Sequence, residues 1–276
     1  MLLIYALGAL SVLVPMLLVP VVATRWVPAV RASRVADRLR VAVAGLTEAF
    51  GRLGAALVVL LAGCAAVVTI CWPLGELLST LEPSLDHSVF DYVHARQVDT
   101  WADINSFITA IGDRYPLKWV TMVAALGFAI AWRHRRWWIP LIVMPLQFVV
   151  EQYTQQILAL TVNRGHPPTD LGTYPSGGCA RVMLTFGTIA VLAGLTWNIP
   201  RRGRIAIATA LTVLVSVEGY TRIYAERHWF TDVIGGWIFA TLLLGVMVLT
   251  LLVAENRVRP PVRSADKTPV AVTSTT

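Results

Sequence analysis

Runs of apolar residues close to the roughly 20 needed to cross a bilayer recur seven times along this chain. They cover residues 2–23, 54–73, 117–132, 138–160, 179–199, 204–222 and 231–254. In hydrocarbon such a segment must satisfy its own backbone N–H and C=O groups, so it forms a helix. The expected fold class is therefore all-α: a polytopic membrane helical bundle of about seven transmembrane helices. Composition points the same way. Hydrophobic residues make up 56% of the chain and charged residues 14%, against roughly 25% charged in a soluble domain. A chain this poor in charge cannot cover itself in water, which excludes a soluble enzyme, a disordered protein and a nucleic-acid binder despite a net charge of +7.

The basic residues set an orientation. Sixteen of the 23 Lys and Arg residues fall in three connecting segments and the tail. They are Arg25, Arg31, Arg34, Arg38, Arg40 and Arg52; Arg133, Arg135 and Arg136; Arg201, Arg202 and Arg204; and Arg257, Arg259, Arg263 and Lys267. With seven spans these four stretches share one side, expected to be cytoplasmic. Residues 74–116, on the other side, carry Glu76, Glu82, Asp86, Asp91, Asp99, Asp103 and Asp113. The first run has no basic segment before it and is followed by Arg25, so it reads as an anchor helix with its N-terminus outside, not as a cleaved signal peptide.

Three parts are expected. Residues 1–53 hold the anchor helix and a cytoplasmic segment, 54–256 the membrane domain, and 257–276 a Pro-, Arg-, Ser- and Thr-rich disordered cytoplasmic tail. Residues 26–52 mix Val, Leu, Ala and Phe with Arg, which suits either an amphipathic helix on the anionic inner leaflet or a solvated connector. Residues 84–113 space Leu85, Val89, Tyr92 and Val93 as a helix would, and are expected to cap the bundle. Cys64, Cys71 and Cys179 lie in or at the edge of apolar runs and form no ligand set, so they read as small core residues.

Polar residues at membrane depth are candidates for function because they are costly there. Gln147, Glu151 and Gln155 form one stripe, expected to hydrogen-bond between helices. Glu218 stands four residues before Arg222, on one helix face. It either holds the bundle together through a buried ion pair or orients Arg222 toward an anion. The richest cluster spans two outer loops. One runs Val162-Asn163-Arg164-Gly165-His166-Pro167-Pro168, then Tyr174-Pro175-Ser176-Gly177-Gly178. The other runs Thr221-Arg222-Ile223-Tyr224-Ala225-Glu226-Arg227-His228-Trp229-Phe230-Thr231-Asp232. Several Arg residues, a Ser-Gly turn and a helix N-terminus favour an oxyanion such as phosphate. Asp232, four residues after His228, can hold one imidazole nitrogen and leave the other free as a nucleophile. The expected chemistry is phosphoryl transfer through a phosphohistidine, with no metal and no cofactor.

These loops resemble the type-2 phosphatidic acid phosphatase superfamily of integral membrane lipid phosphatases, whose signature reads K-x6-R-P, P-S-G-H and S-R-x5-H-x3-D. The third part is met by Thr221-Arg222, His228 and Asp232, with Thr for Ser. The resemblance covers roughly residues 85–254 and implies a six-helix core to which the first span is an addition. It also implies His228 as nucleophile, Asp232 as its orienting partner, and Arg222, Ser176, Gly177 and Gly178 as phosphate-binding positions, at the extracytoplasmic membrane surface. Two parts depart from the pattern. His166 stands where the family has Arg, and Ala159 where it has Lys. Gly178 replaces the second-motif His, the general acid, whose loss costs roughly 10²–10⁴-fold in rate. Arg181, three residues after Gly178, is expected to restore positive charge, Arg164 to add a phosphate ligand, and His166 to act as a displaced acid.

The function expected is cleavage of a lipid phosphomonoester or diphosphate, of polyprenyl diphosphate or phosphatidate type. The partners are the lipid phosphate and membrane lipids, with no nucleic acid and the oligomeric state open. The competing reading is a catalytically silent lipid-phosphate-binding pseudoenzyme or accessory subunit. Glu151 and Glu218 would also suit a transporter, but the sequence has neither repeated halves nor paired broken helices.

Overall fold

The computed structural model describes residues 2–26, 33–162, 164–169 and 171–258. Among these residues every regular element is helical. The helices are α1 (Leu2–Val21), α2 (Arg34–Ser79), α3 (His87–His94), α4 (Asp99–Thr109), α5 (Arg114–Ala131), α6 (Trp138–Thr161), α7 (Gly177–Trp197), α8 (Arg201–Tyr224) and α9 (Phe230–Ala254). Each of the seven apolar runs is a helix. Five helical segments are long and apolar enough to cross a membrane: Ala6–Thr24, α2, α7, α8 and α9. The chain is a multi-pass membrane protein. The runs expected at 117–132 and 138–160 form α5 and α6 but are not among those five. Arg114 and Lys118 lower the mean hydropathy of α5, while Glu151, four Gln and two Pro lower that of α6.

The centre of the bundle is α7. Its first turns are Gly177, Gly178, Cys179 and Ala180, followed by Thr185, Gly187 and Thr188, all buried. Small side chains let neighbouring backbones come close, which replaces hydrophobic exclusion as the packing force in lipid. α7 accordingly touches α5, α6, α8 and α9. One core joins Leu60, Val67 and Cys71 of α2, Leu158 of α6, Leu184 of α7 and Phe239, Leu243 and Met247 of α9. A second joins Phe128, Met144, Leu192 and Leu251 toward the opposite end from the two motif loops. Gly235 of α9 lies against the Tyr174 ring, where a Cβ would approach to 2.3 Å, so the Gly235-Gly236 pair serves close packing within the chain. Cys71 and Cys179 are buried free thiols, and Cys64 is a partly buried one.

The stripe on α6 faces α7 and its leading loop. Gln147 donates to Thr185 Oγ1 (3.3 Å), Gln155 to Thr173 Oγ1 (2.9 Å), and Glu151 lies 3.6 Å from Arg181 Nη1. α2 starts at the Ser33 cap, whose hydroxyl accepts from Ala36 N–H. It breaks at Gly51, where φ is +68°, a conformation that favours glycine. The segment 34–50 is thus helical, and Val43 packs beside Ala55, Ala56 and Val253. Of the basic stretches and the tail, residues 27–32 and 259–276 lie outside the described residues, as do Asn163 and Asp170.

Residues 84–113 are largely helical, as their spacing suggests. Val93 of α3 packs with Tyr224 of α8, and α4 packs along α8. α3 and α4 therefore lie over the end of the bundle that carries the two motif loops.

Candidate active site

His228 sits in the short turn between α8 and α9. Glu226 in that turn has φ +56° and is held from the α3–α4 side, its carboxylate accepting from Gln97 Nε2 (2.7 Å) and meeting His94 Nδ1 (2.9 Å). Thr169 Oγ1 donates to the Glu226 carbonyl (2.6 Å), so the α6–α7 loop holds the turn as well. Asp232 lies in the first turn of α9. Its Oδ2 accepts from Trp229 N–H at 3.1 Å and lies 3.6 Å from His228 Nδ1. That separation exceeds a hydrogen bond, and such catalytic pairs commonly tighten only with substrate in place. Gly172 covers the same side of the ring. Its φ is +99°, and a Cβ there would come within 2.7 Å of His228 Nδ1. Burial pulls the His228 pKa below its ordinary value, against the opposite pull of Asp232, with Arg222 and Arg181 adding to the lowering. The imidazole is therefore neutral near pH 7, the form a nucleophile needs.

The ring lines a pocket of about 670 Å³, whose walls include Asp113, Arg114, Gln155, Gly177, Arg181, Arg222 and Arg227. Arg222 is fixed from three directions. Its Nε donates to Glu218 Oε1 (2.6 Å), and its Nη2 to the Thr109 carbonyl (2.9 Å) and Asp113 Oδ1 (2.8 Å). Glu218 thus makes the buried ion pair with Arg222, and that pair holds the guanidinium on the pocket wall. Arg181 Nε donates to the Gly112 carbonyl (3.2 Å), and its guanidinium contacts Glu151. The N-terminus of α7 opens beside them at Gly177, where the first N–H groups of a helix lack carbonyl partners within it. Together the guanidiniums and the helix dipole concentrate positive charge on one wall of the pocket.

Of the residues expected to form the site, His228, Arg222, Arg181 and Gly177 line this one pocket, with Asp232 directly behind His228. The others do not line it. Ser176 is buried at the start of α7, its backbone N–H donating to the Asp232 carbonyl (3.0 Å). Gly178 lies under Arg222. A Cβ there would stand 2.5 Å from Arg222 Nε, so the guanidinium occupies the space a side chain at 178 would enter. His166 is exposed, with Nδ1 against the Gly172 carbonyl. Arg164 is buried among carboxylates. Its Nη2 bonds Asp86 and Thr231, and its Nε lies 3.3 Å from Asp232 Oδ1 and 3.6 Å from Glu82.

Several site residues were not marked by the sequence. Asp86, from the turn before α3, accepts from Thr231 N–H (2.9 Å) and Oγ1 (2.7 Å), placing a buried carboxylate at the N-terminus of α9. Asp113 and Arg114 come from the start of α5. Arg227 precedes His228, and that adjacency was its only signal. Asp113 Oδ2 lies 3.2 Å from Arg227 Nη1. Burial raises the Asp113 pKa, but Arg222 and Arg227 outweigh it and hold the carboxyl below its ordinary value.

Residues 145–256 match the family model described as the PAP2 superfamily, so this region is similar to that superfamily. No curated protein matches the chain in sequence. Among solved structures, the crystal structure of the first transmembrane PAP2 type phosphatidylglycerolphosphate phosphatase from Bacillus subtilis superposes with a TM-score of 0.58. It is 17% identical, and the match covers 67% of this chain and 93% of that one. At that identity the likeness shows the fold. The family match holds both motif loops but begins after Asp113 and Asp86.

Proposed function

We propose that this protein is a lipid-phosphate phosphatase or phosphotransferase working through a phosphohistidine at His228. One observation carries the reading. A buried neutral imidazole backed by a carboxylate shares a pocket wall with two positioned guanidiniums and a helix N-terminus. His228, through the ring nitrogen not facing Asp232, attacks phosphorus as the bond to the lipid oxygen breaks. Arg222, Arg181 and the N–H group at Gly177 stabilise the charge on the phosphoryl oxygens. Asp232 holds the Nδ1 proton and the cation that forms on the ring. Water, or another alcohol, then attacks the phosphohistidine, releasing phosphate or the transferred ester and restoring His228. Arg164 acts in this scheme by holding Asp232.

The leaving oxygen needs a proton. We assign it to His166, which lies outside the pocket with Nδ1 against the Gly172 carbonyl and would have to turn inward past Gly172 to deliver it. An H166A variant should lose roughly 10²–10⁴-fold in turnover, and full turnover in that variant would remove His166 from the scheme. The substrate is a phosphomonoester or diphosphate of a lipid, of polyprenyl diphosphate or phosphatidate type. A seven-span topology with the N-terminus outside and the C-terminus cytoplasmic puts the pocket at the extracytoplasmic face.

A second reading is a silent lipid-phosphate binder, favoured by Gly178 and by a pocket wall on which His228 is the one imidazole among the described lining residues. Phosphate release by the detergent-purified protein from undecaprenyl diphosphate and phosphatidate, without added metal, separates the two. The phosphatase reading expects release that H228A reduces to background. Lipid binding without release selects the silent binder.

A further inference from the structure

We propose that Asp113 is a specificity-determining residue: its carboxylate holds the place between Arg222 and Arg227 that a substrate phosphate takes, so a group with two or more negative charges displaces it and a single charge does not. The inference rests on the pocket being an anion site, as argued above.

The geometry is that of an internal anion. Asp113 places Oδ1 2.8 Å from Arg222 Nη2 and Oδ2 3.2 Å from Arg227 Nη1, so two oxygens meet two guanidiniums from different elements. A phosphoryl group makes contacts of the same kind. Among the described lining residues it is the one carboxylate, and its side chain is 39% exposed. Glu218 and Glu151, by contrast, reach Arg222 and Arg181 from the buried side, with side chains 3% and 0% exposed. They support the cations from behind, and Asp113 covers Arg222 from the pocket.

Donor counting shows the competition. Of the five N–H donors of Arg222, Nε goes to Glu218 and Nη2 to Thr109 O and Asp113 Oδ1. While Asp113 is bonded, a phosphate can reach Arg222 only through Nη1. Asp113 is not required by its own helix either. It stands at the start of α5 in an extended conformation but makes no side-chain capping bond. Thr109 O and Gly112 O hold Arg222 and Arg181 without it.

A phosphomonoester carries about −1.5 to −2 charges near neutral pH, as other phosphomonoesters do, and a phosphodiester carries about one. Exchanging Asp113 for a monoanion gains nothing at the guanidiniums, whereas a dianion adds about one charge. The device would reject the phosphodiester headgroups of the surrounding bilayer, which have free access to any lipid site.

The test measures binding without turnover. Full-length protein in detergent at pH 8 is titrated by calorimetry with inorganic phosphate and with dimethyl phosphate. Wild type should favour phosphate at least tenfold. In Asp113→Asn both should tighten, dimethyl phosphate the more, so that the preference drops at least fivefold. Asp113→Glu, which keeps the charge, should keep the preference. A thermal melt confirms that each variant is folded, and Asp113→Ser replaces Asn if that variant is not. An unchanged preference, or weaker binding of both anions in the folded variant, overturns the proposal. Binding of neither anion to any form overturns it together with the anion-site reading. Binding with the expected shift but no lipid turnover supports Asp113 while the phosphatase reading fails.

Discussion

The two walls of the pocket were built in different ways. On the α8–α9 wall, Arg222, His228 and Asp232 stand where the family pattern puts them. On the α6–α7 wall the pattern is broken: the second-motif position is Gly178, and His166 and Arg164 point elsewhere. The difference lies in what fixes each part. His228 and Asp232 are four residues apart at a helix start, so local geometry alone brings them together. An anion cradle needs only positive charge within reach, and charge can be carried by any element that ends nearby. In the proposed cradle Arg181, Arg227 and Arg114, which all line the pocket, supply it from three different places.

The largest test of that contrast is on the α8–α9 wall. Asp232→Asn should lower phosphate release on the order of 10³–10⁴-fold, since the amide would favour the wrong imidazole tautomer. Binding of inorganic phosphate should be nearly unchanged, and a parallel loss of binding would mean that Asp232 supports the cradle itself. A smaller effect is expected on the α6–α7 wall. Gly178→His, which restores the family residue, should reduce turnover roughly tenfold instead of raising it, because its Cβ would drive into Arg222 Nε. A gain in activity would show that Arg222 can yield the space. The smallest effect is in pH. The pKa of His228 is lowered, so the neutral nucleophile persists below pH 6.5. The acid limb of kcat/KM, read from a pH–rate profile, should have its midpoint below that value. A midpoint above it would mean that Asp232, not burial, dominates the ring.

Much of the fold was legible because seven apolar runs leave the backbone no choice but helices. The number that cross the membrane was less so, since Arg114 and Lys118 in α5 and the polar residues and prolines of α6 leave both short of a span by hydropathy. The His228–Asp232 pair and Arg222 were legible from spacing, and Glu218 from its i,i+4 relation to Arg222. Arg164 was not: sequence shows an arginine in a polar loop but not that Asp86, Glu82 and Asp232 surround it. Asp113 was visible only as one acid among several, since its partners are 109 and 114 residues away. Long-range charge pairing leaves no periodicity to read.

The carboxylate of Asp86 at the start of α9 bears on what the family match means. Residues 145–256 contain His228, Asp232, Arg222 and Arg181, yet the residue that anchors the first turn of the helix after His228 lies 145 positions before its partner Thr231. Tyr174, which fills the notch at Gly235, likewise donates its hydroxyl proton to the Cys71 carbonyl of α2 (2.9 Å). The motif is therefore not a portable cassette. A fragment cut to the matched region would keep all four of these side chains and lose the parts that hold them in register.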